Sequence, residues 1–274
     1  MPMPSNLISV IISTYNAFEW LEKTLTGYEA QTFKNFEIII ADDGSNEDTV
    51  QKIQNLIITS SMKITHAWHE DNGFQKTKIL NTALLKCSGD YIVMSDGDCI
   101  PRRDFLEVHN LYKKPGHFLS GGYFKLPMET STAITKKDIK NQNCFDINWL
   151  RAHGLLTSGI KTSKLTSRGF KAKLLNTLTP TTPSWNGHNS SGWKKDILDV
   201  KGFDERMQYG GEDRELGERL INAGIKPLQI RYSAICVHLD HSRGYVNKEA
   251  LEVNKNIRRE TKSSKKTKTD YGLD

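Results

Sequence analysis

The feature that most constrains this chain is the regular alternation in its first hundred residues. Short apolar runs recur with helical segments between them. "LISVII" (7–12), "FEIIIA" (36–41), "KITHAW" (63–68) and "YIVMS" (91–95) read as strands. Phe18, Leu21, Leu25 and Tyr28 recur at helical spacing after the first. Val50, Ile53 and Ile57 do so after the second, with Ser45 and Asp48 as an N-cap pair. Ile79, Leu80, Ala83 and Leu84 mark a third helix, and Pro101 suits the first turn of a fourth. Strand–helix alternation of this kind builds parallel βαβ units. The expected class is α/β: a single domain with a mostly parallel central sheet flanked by helices.

Polar clusters fall where these strands end. Ser13-Thr14-Tyr15-Asn16 follows the first, Asp42 and Asp43 the second, Asp96 and Asp98 the fourth. Open parallel sheets bind ligands outside the carboxyl ends of their strands, so the clusters converge on one edge. Two carboxylates one residue apart repel, and burial sharpens the repulsion. A divalent cation completed by water and phosphate oxygens would offset it, and Mg²⁺ or Mn²⁺ suits such ligands. The sequence contains neither GxxxxGK[ST] nor GxGxxG, which sets aside a P-loop and a dinucleotide fingerprint. Phosphates would then fall to the metal and to Lys76 and Lys78.

Beyond residue 118 the pattern loosens. "HFLSGGYFKL" reads as a strand, and 127–185 as loops with one or two helices. In "GGEDRELGERL" (210–220), Gly210-Gly211 would let the backbone pass close to a ligand. Glu212 and Asp213 stand at a helix N-terminus, where the dipole favours ionised carboxylates able to accept a proton from a hydroxyl. Plain acidic capping is the competing reading. Leu216, Leu220 and Ile221 share one side of this helix, and Gly224 closes it. "PLQIRYSAICVHLDHS" reads as a strand pair bearing His238 and His241, either of which could join Asp98 at a metal. The Lys/Ser/Thr-rich tail from 261 is expected to be disordered.

The 274 residues carry a net charge of +6, unevenly spread. Between Asp146 and Asp196 no acidic residue occurs. There Leu165, Phe170, Leu174, Leu175 and Leu178 mix with lysine and arginine, as in an interfacial helix facing an anionic membrane. A solvated acceptor loop is the alternative. No apolar run approaches the roughly 20 residues of a membrane span. Four scattered cysteines without a CxxC pair point to a reduced, cytoplasmic protein.

Taken together, these segments resemble the family 2 glycosyltransferases, nucleotide-sugar enzymes of the Rossmann-like GT-A fold. "VIISTYN", "IIIADDGSNEDT", "GDYIVMSDGDCIPRRDFL" and "GGEDRELGERL" match in order. "GFQKTKILNTAL", "NGHNSSGWKKDILDVKGFDERMQYGGEDRE" and "HSR" (241–243) are similar to segments of the β-1,4-galactosyltransferases and chondroitin-type polymerases. The resemblance implies an inverting, metal-dependent transfer from a UDP-sugar to a glycan or lipid-linked glycan, in bacterial surface polysaccharide synthesis, with no nucleic-acid partner. It implies that Thr14, Tyr15, Asn16 and Asp43 hold base and ribose. Phe74 and Lys76 would lie along the nucleotide, with Asp96 on ribose or metal. Asp98 and His241 would ligate Mn²⁺ or Mg²⁺. Asp213 would be the general base and Glu212 would bind hydroxyls. Two departures matter. Tyr209 replaces a tryptophan, which leaves the acceptor open. His238 replaces a methionine ligand, which moves the expected metal from Mn²⁺ towards Mg²⁺. The expected organisation is a nucleotide-sugar half (1–118), an acceptor and catalytic half of the same domain (119–246) and a flexible basic tail (247–274), peripheral on the inner face of the cell membrane. A nucleotidyltransferase and a non-catalytic sugar or nucleic-acid binding protein are the rival readings.

Overall fold

The computed structural model describes residues 6–156, 162–241 and 247–274. Its first half is the expected alternation: β1 (Ile8–Thr14), α1 (Phe18–Glu29), β2 (Phe36–Asp42), α2 (Glu47–Thr59), β3 (Ile64–Trp68), α3 (Lys76–Lys86) and β4 (Tyr91–Asp96). All four strands are parallel. Their register pairs Thr14 with Asp42 and Ser13 with Asp96, so the polar clusters end at one level of the sheet.

The sheet continues through the second half in the order β3-β2-β1-β4-β8-β6-β9. Here β6 is His117–Ser120, β8 is Ser190–Trp193 and β9 is Lys226–Gln229. β8 runs antiparallel to both β4 and β6. Alternate residues of the central strands serve opposite faces. Val10, Ile38 and Val93 pack with Leu21, Leu25 and Ile53 of α1 and α2. Ile11, Ile39 and Ile92 pack with Ile79, Leu80 and Ala83 of α3. Burial on both faces explains why these strands read as continuous apolar runs.

Several local expectations are corrected. Pro101 lies in a short strand, β5 (Cys99–Pro101), and α4 (Phe105–Tyr112) starts later. β5 is an edge strand, where a missing N–H is tolerated. It belongs to a second sheet, β5-β10-β7, with β7 Gly122–Lys125 and β10 Ile235–His238. β9 and β10 therefore lie in different sheets and do not pair, and "HFLSGGYFKL" splits into β6 and β7. Asn46 caps α2 by accepting the Thr49 N–H, while Ser45 Oγ accepts the Asn16 N–H. Ile221 is exposed, so Leu216 and Leu220 alone carry that helix face.

The 127–185 region holds α5 (Met128–Ala133), α6 (Lys136–Asn141), α7 (Ile147–Ala152), α8 (Ser163–Thr166) and α9 (Gly169–Leu178). α10 (Lys194–Asp199) and α11 (Glu212–Asn222) follow β8.

The tail differs most from expectation. Residues Lys248–Ser263 form a helix, α12, capped by Asn247 and packed along α11. Arg258 pairs with Glu218 at 2.5 Å, and Thr261 donates to Glu215 at 2.8 Å. Beyond it, Thr269 donates to Asp204 at 2.7 Å and the Leu273 N–H to the Lys201 carbonyl at 2.9 Å. The buried face of α12 is Asn254, Ile257 and Thr261. Two of these three are polar, so apolar periodicity could not reveal the helix.

Candidate active site

The two carboxylates after β4 face different partners. Asp96 Oδ1 accepts from Ser13 Oγ at 2.7 Å and from Lys76 Nζ at 2.9 Å. Burial alone would raise its pKa. The Lys76 charge, His188 and these two hydrogen bonds outweigh that and hold it well below the usual carboxylate range. Asp98 Oδ2 instead lies 3.1 Å from His241 Nε2 and 3.7 Å from His238 Nε2. Asp98, His238 and His241 bring one ligand atom each within 4.8 Å of one another. His238 Nδ1 bonds the Leu239 carbonyl at 2.7 Å, which fixes the tautomer and leaves Nε2 as a lone pair turned to the cluster. One carboxylate and two imidazoles on one side of a cleft fit a divalent transition metal.

Lys76 is the first residue of α3, where the helix dipole disfavours a cation. Burial would also discharge it. Asp96, Glu212 and Asp213 together outweigh both effects and raise its pKa. Such a local conflict, offset by three carboxylates from two halves of the chain, marks a site.

Glu212 and Asp213 open α11 after Gly210 (φ 111°) and Gly211 (φ 92°). Both glycines need that left-handed backbone. A Cβ on Gly210 would strike Leu251, and one on Gly211 would crowd Arg258. The backbone thus passes close to α12, and this corrects the expectation that the glycines clear room for a ligand. Asn254 Nδ2 donates to the carbonyls of Gln208, Tyr209 and Gly210 at 2.8, 3.3 and 3.1 Å. Glu212 Oε2 accepts the Gly210 N–H at 2.9 Å. Burial, then the Asp213 charge, raise the Glu212 pKa against the pull of Lys76. Asp213 accepts N–H bonds from Gly187 at 3.0 Å and Arg214 at 2.7 Å.

On the opposite side, Asp43 accepts from His69 at 2.9 Å and from the Gln75 N–H at 3.1 Å, and burial raises its pKa. Tyr15 is half-exposed and donates to Asp71 at 2.9 Å. Phe74 meets Tyr209 edge-to-face at 6.0 Å, closing the cleft between the halves. Thr14 is buried, and its carbonyl accepts the Asp43 N–H. Asn16 (φ 48°) accepts the Asn46 N–H, a role local to the β1–α2 junction. Residues 242–243 of "HSR" lie outside the described residues.

One residue was missed. His188 stands among Asp96, Asp213, Asp98 and His238, with its ring 4.6 Å from Tyr123. Burial pushes its pKa down to about 4 against the upward pull of Asp96 and Asp213. It lies in "NGHNSSGW", a segment marked by resemblance alone, with no periodicity or charge to single it out.

The GT-A type of α/β fold is what this sheet and its order define. Solved structures with the same fold include a mannosyltransferase from Pyrobaculum calidifontis in complex with GDP-Man and Mn²⁺. That structure is 20% identical with a TM-score of 0.57, over 87% of this chain and 58% of the other. TarS of S. aureus in complex with UDP-GlcNAc reaches a TM-score of 0.61 at 16% identity, over 94% of this chain and 69% of that one. Residues 9–138 match the family described as Glycosyl transferase family 2. Among curated relatives, an uncharacterized glycosyltransferase, YfnE of Bacillus subtilis, is 25% identical over 265 residues, covering 85% of this chain and 64% of the relative. Chondroitin synthase of Pasteurella multocida is 24% identical over 248 residues, covering 81% of this chain. The chain spans only 24% of that synthase.

Proposed function

We propose that the protein transfers a sugar from a UDP-sugar to a hydroxyl of a glycan or lipid-linked glycan, with inversion, in bacterial surface polysaccharide synthesis. The observation that carries this reading is the position of Lys76, shared between Asp96 on the donor side and Glu212 and Asp213 opposite. A cation there faces the diphosphate of a donor lying over the strand ends, while the facing carboxylates meet the incoming hydroxyl. The TarS structure with UDP-GlcNAc and the mannosyltransferase with GDP-Man make a nucleotide sugar the natural donor class.

Each residue then has a task. Asp43, Tyr15 and Phe74 line the base side, with Thr14 and Asn16 shaping the loop beneath. Asp96 keeps Lys76 charged and oriented. Asp213, aimed by two N–H donors, accepts the proton of the attacking hydroxyl. Glu212 binds a neighbouring hydroxyl. Asp98, His238 and His241 would hold a divalent cation, which when bound supplies Lewis-acid stabilisation of the leaving diphosphate. Two imidazoles favour Mn²⁺ over Mg²⁺, which prefers oxygen ligands, so His238 moves the preference opposite to the first expectation. Among the described residues no helix is long and apolar enough to cross a membrane. We place the protein in the cytoplasm, reaching a membrane-borne acceptor from the surface of the bilayer.

The test is hydrolysis of a panel of nucleotide sugars with Mn²⁺, Mg²⁺ or EDTA. Metal-dependent release of UDP from one donor is expected, lowered roughly 10³-fold by Asp98→Ala. Asp213→Asn should keep nucleotide binding and lose about 10²–10⁴-fold in transfer. No release from any donor, together with no nucleotide binding by calorimetry, would overturn the reading.

A further inference from the structure

α9 carries its apolar side chains on the wrong face for a core helix. Phe170, Leu174 and Leu178 are 80%, 45% and 67% exposed, while Ala172 and Asn176 are buried. With 3.6 residues per turn, the exposed three lie at about 0°, 40° and 80° around the axis, and the buried two at about 200° and 240°. The apolar stripe therefore points directly away from the protein. Lys171 and Lys173, both exposed, fall at about 100° and 300°, one on either side of it.

The helix cannot roll over to hide this stripe. Asn176 accepts the Tyr232 N–H at 2.8 Å and donates to Ser233 Oγ at 2.8 Å, so both ends of its amide are engaged inside the protein. Rotation would break two buried hydrogen bonds. Two neighbouring basic residues, in α8 and just before α9, have inward duties. Lys164 donates to the Tyr123 carbonyl and Arg168 to those of Leu165 and Ser167. Lys161 lies outside the described residues.

We infer that α9 is a membrane-docking helix that inserts Phe170, Leu174 and Leu178 into an anionic bilayer, with Lys171 and Lys173 at the headgroup phosphates. This deepens the membrane part of the function proposed above and rests on it only for the identity of the acceptor. The occupant follows from charge. No acidic residue occurs between Asp146 and Asp196. A second copy seated on the stripe would bring four lysines together with no carboxylate on either helix to pair them. A nucleic acid would leave the apolar stripe in water. Anionic lipid satisfies lysines and stripe together. The preceding helix, α8, reaches the site: its Lys164 holds Tyr123, whose ring contacts His188 and His238.

The experiment is co-sedimentation of the full chain with vesicles of phosphatidylcholine alone or mixed with phosphatidylglycerol. Binding to the anionic vesicles, weakened by salt, is expected. The triple variant Phe170→Ser, Leu174→Ser, Leu178→Ser should bind on the order of 100-fold more weakly, and Lys171→Glu with Lys173→Glu about 10-fold more weakly. Circular dichroism and vesicle-free donor hydrolysis should match wild type in both, since none of these residues touches the cleft. Equal binding by wild type and the triple variant, or no binding by wild type, overturns the proposal. Self-association by sedimentation velocity, lost in the triple variant without vesicle binding by wild type, would reassign the stripe to a second copy. Donor hydrolysis without vesicle binding would sink the dock and spare the enzyme; vesicle binding without hydrolysis would do the reverse.

Discussion

Two carboxylate pairs face the cleft, and the chain holds them by different means. Asp96 ends β4, where parallel pairing with β1 sets its height, and Asp98 follows it in the turn. The support of Asp96 is local to the sheet, from Ser13 on the neighbouring strand and Lys76 at the start of α3, while Asp98 faces His238 and His241. Glu212 and Asp213 sit on a loop-to-helix junction with no strand beneath it. Their support comes from about 40 residues further along the chain, where α12 bonds three carbonyls of the preceding loop and Arg258 grips Glu218. Asp96 is fixed by register, and the second pair by a brace. The strand-end pair should therefore tolerate loss of single contacts, while the braced pair should fail when its brace is loosened.

The largest effect is expected at the centre of the brace. Glu215 and Arg219 are a buried ion pair, and Arg219 also donates to the carbonyls of Val200 and Gly202 while Glu215 accepts from Thr261 of α12. Glu215→Ala strands a buried guanidinium and should cost about 3–5 kcal/mol in urea unfolding. Pairing it with Arg219→Met should recover much of that loss. If Glu215→Ala costs under about 1 kcal/mol, the brace is not rigid and the contrast between the pairs fails.

A second effect comes where the halves join. His109 of α4 is buried with its nitrogens on Ser191 of β8 and Asn189 just before it. Burial pushes its pKa from 6.5 down to about 4. Between those values the unfolded chain binds the proton and the folded one does not. Stability is thus full above 6.5 and falls as pH drops towards 4, by about 3 kcal/mol for this group. His188 adds a loss of the same sign. A plot of unfolding free energy against pH should be flatter in that window for His109→Gln than for wild type. An unchanged slope would show that the join does not depend on a neutral His109.

The same contrast decides what the sequence disclosed. β1 to β4 are apolar on both faces, and their polar ends stand out because strand position and side-chain type agree at every level. Asp98, His238 and His241 are distant in sequence, and resemblance grouped them before geometry did. α12 stayed hidden because it packs through Asn254, Thr261 and Arg258, groups that also suit a solvated tail. His188 stayed hidden because its neighbours come from four separate segments. The Gly210-Gly211 pair was visible, yet its cause was misread, since the helix it makes room for was not expected to exist.

Asn254→Ala tests the brace by one amide. It leaves the carbonyls of Gln208, Tyr209 and Gly210 without their donor and should cost about 1–3 kcal/mol. Steady-state kinetics should separate it from a merely structural change. Under the proposed function, transfer kcat should fall about tenfold with the donor KM unchanged, because the loop would carry the general base and not the nucleotide. A rise in donor KM with kcat intact would place the support on the wrong side of the cleft.

The smallest effect is expected at the strand end, from the loss of a single hydroxyl. Ser13→Ala removes one hydrogen bond to Asp96 Oδ1, but Lys76 stays 2.9 Å from the same oxygen and β1 still pairs with β4 along its length. The loss should be about 1 kcal/mol in stability. Donor KM should rise a few-fold and the acceptor KM should not move. Ser13→Ala deletes one hydrogen bond and Asn254→Ala three, each beside a carboxylate pair of the candidate site. If register rather than hydrogen bonding fixes the donor pair, Ser13→Ala must be the milder in kcat. If it proves as damaging as Asn254→Ala, the strand end is no firmer than the braced loop, and Asp96 owes its position to its partners rather than to the sheet.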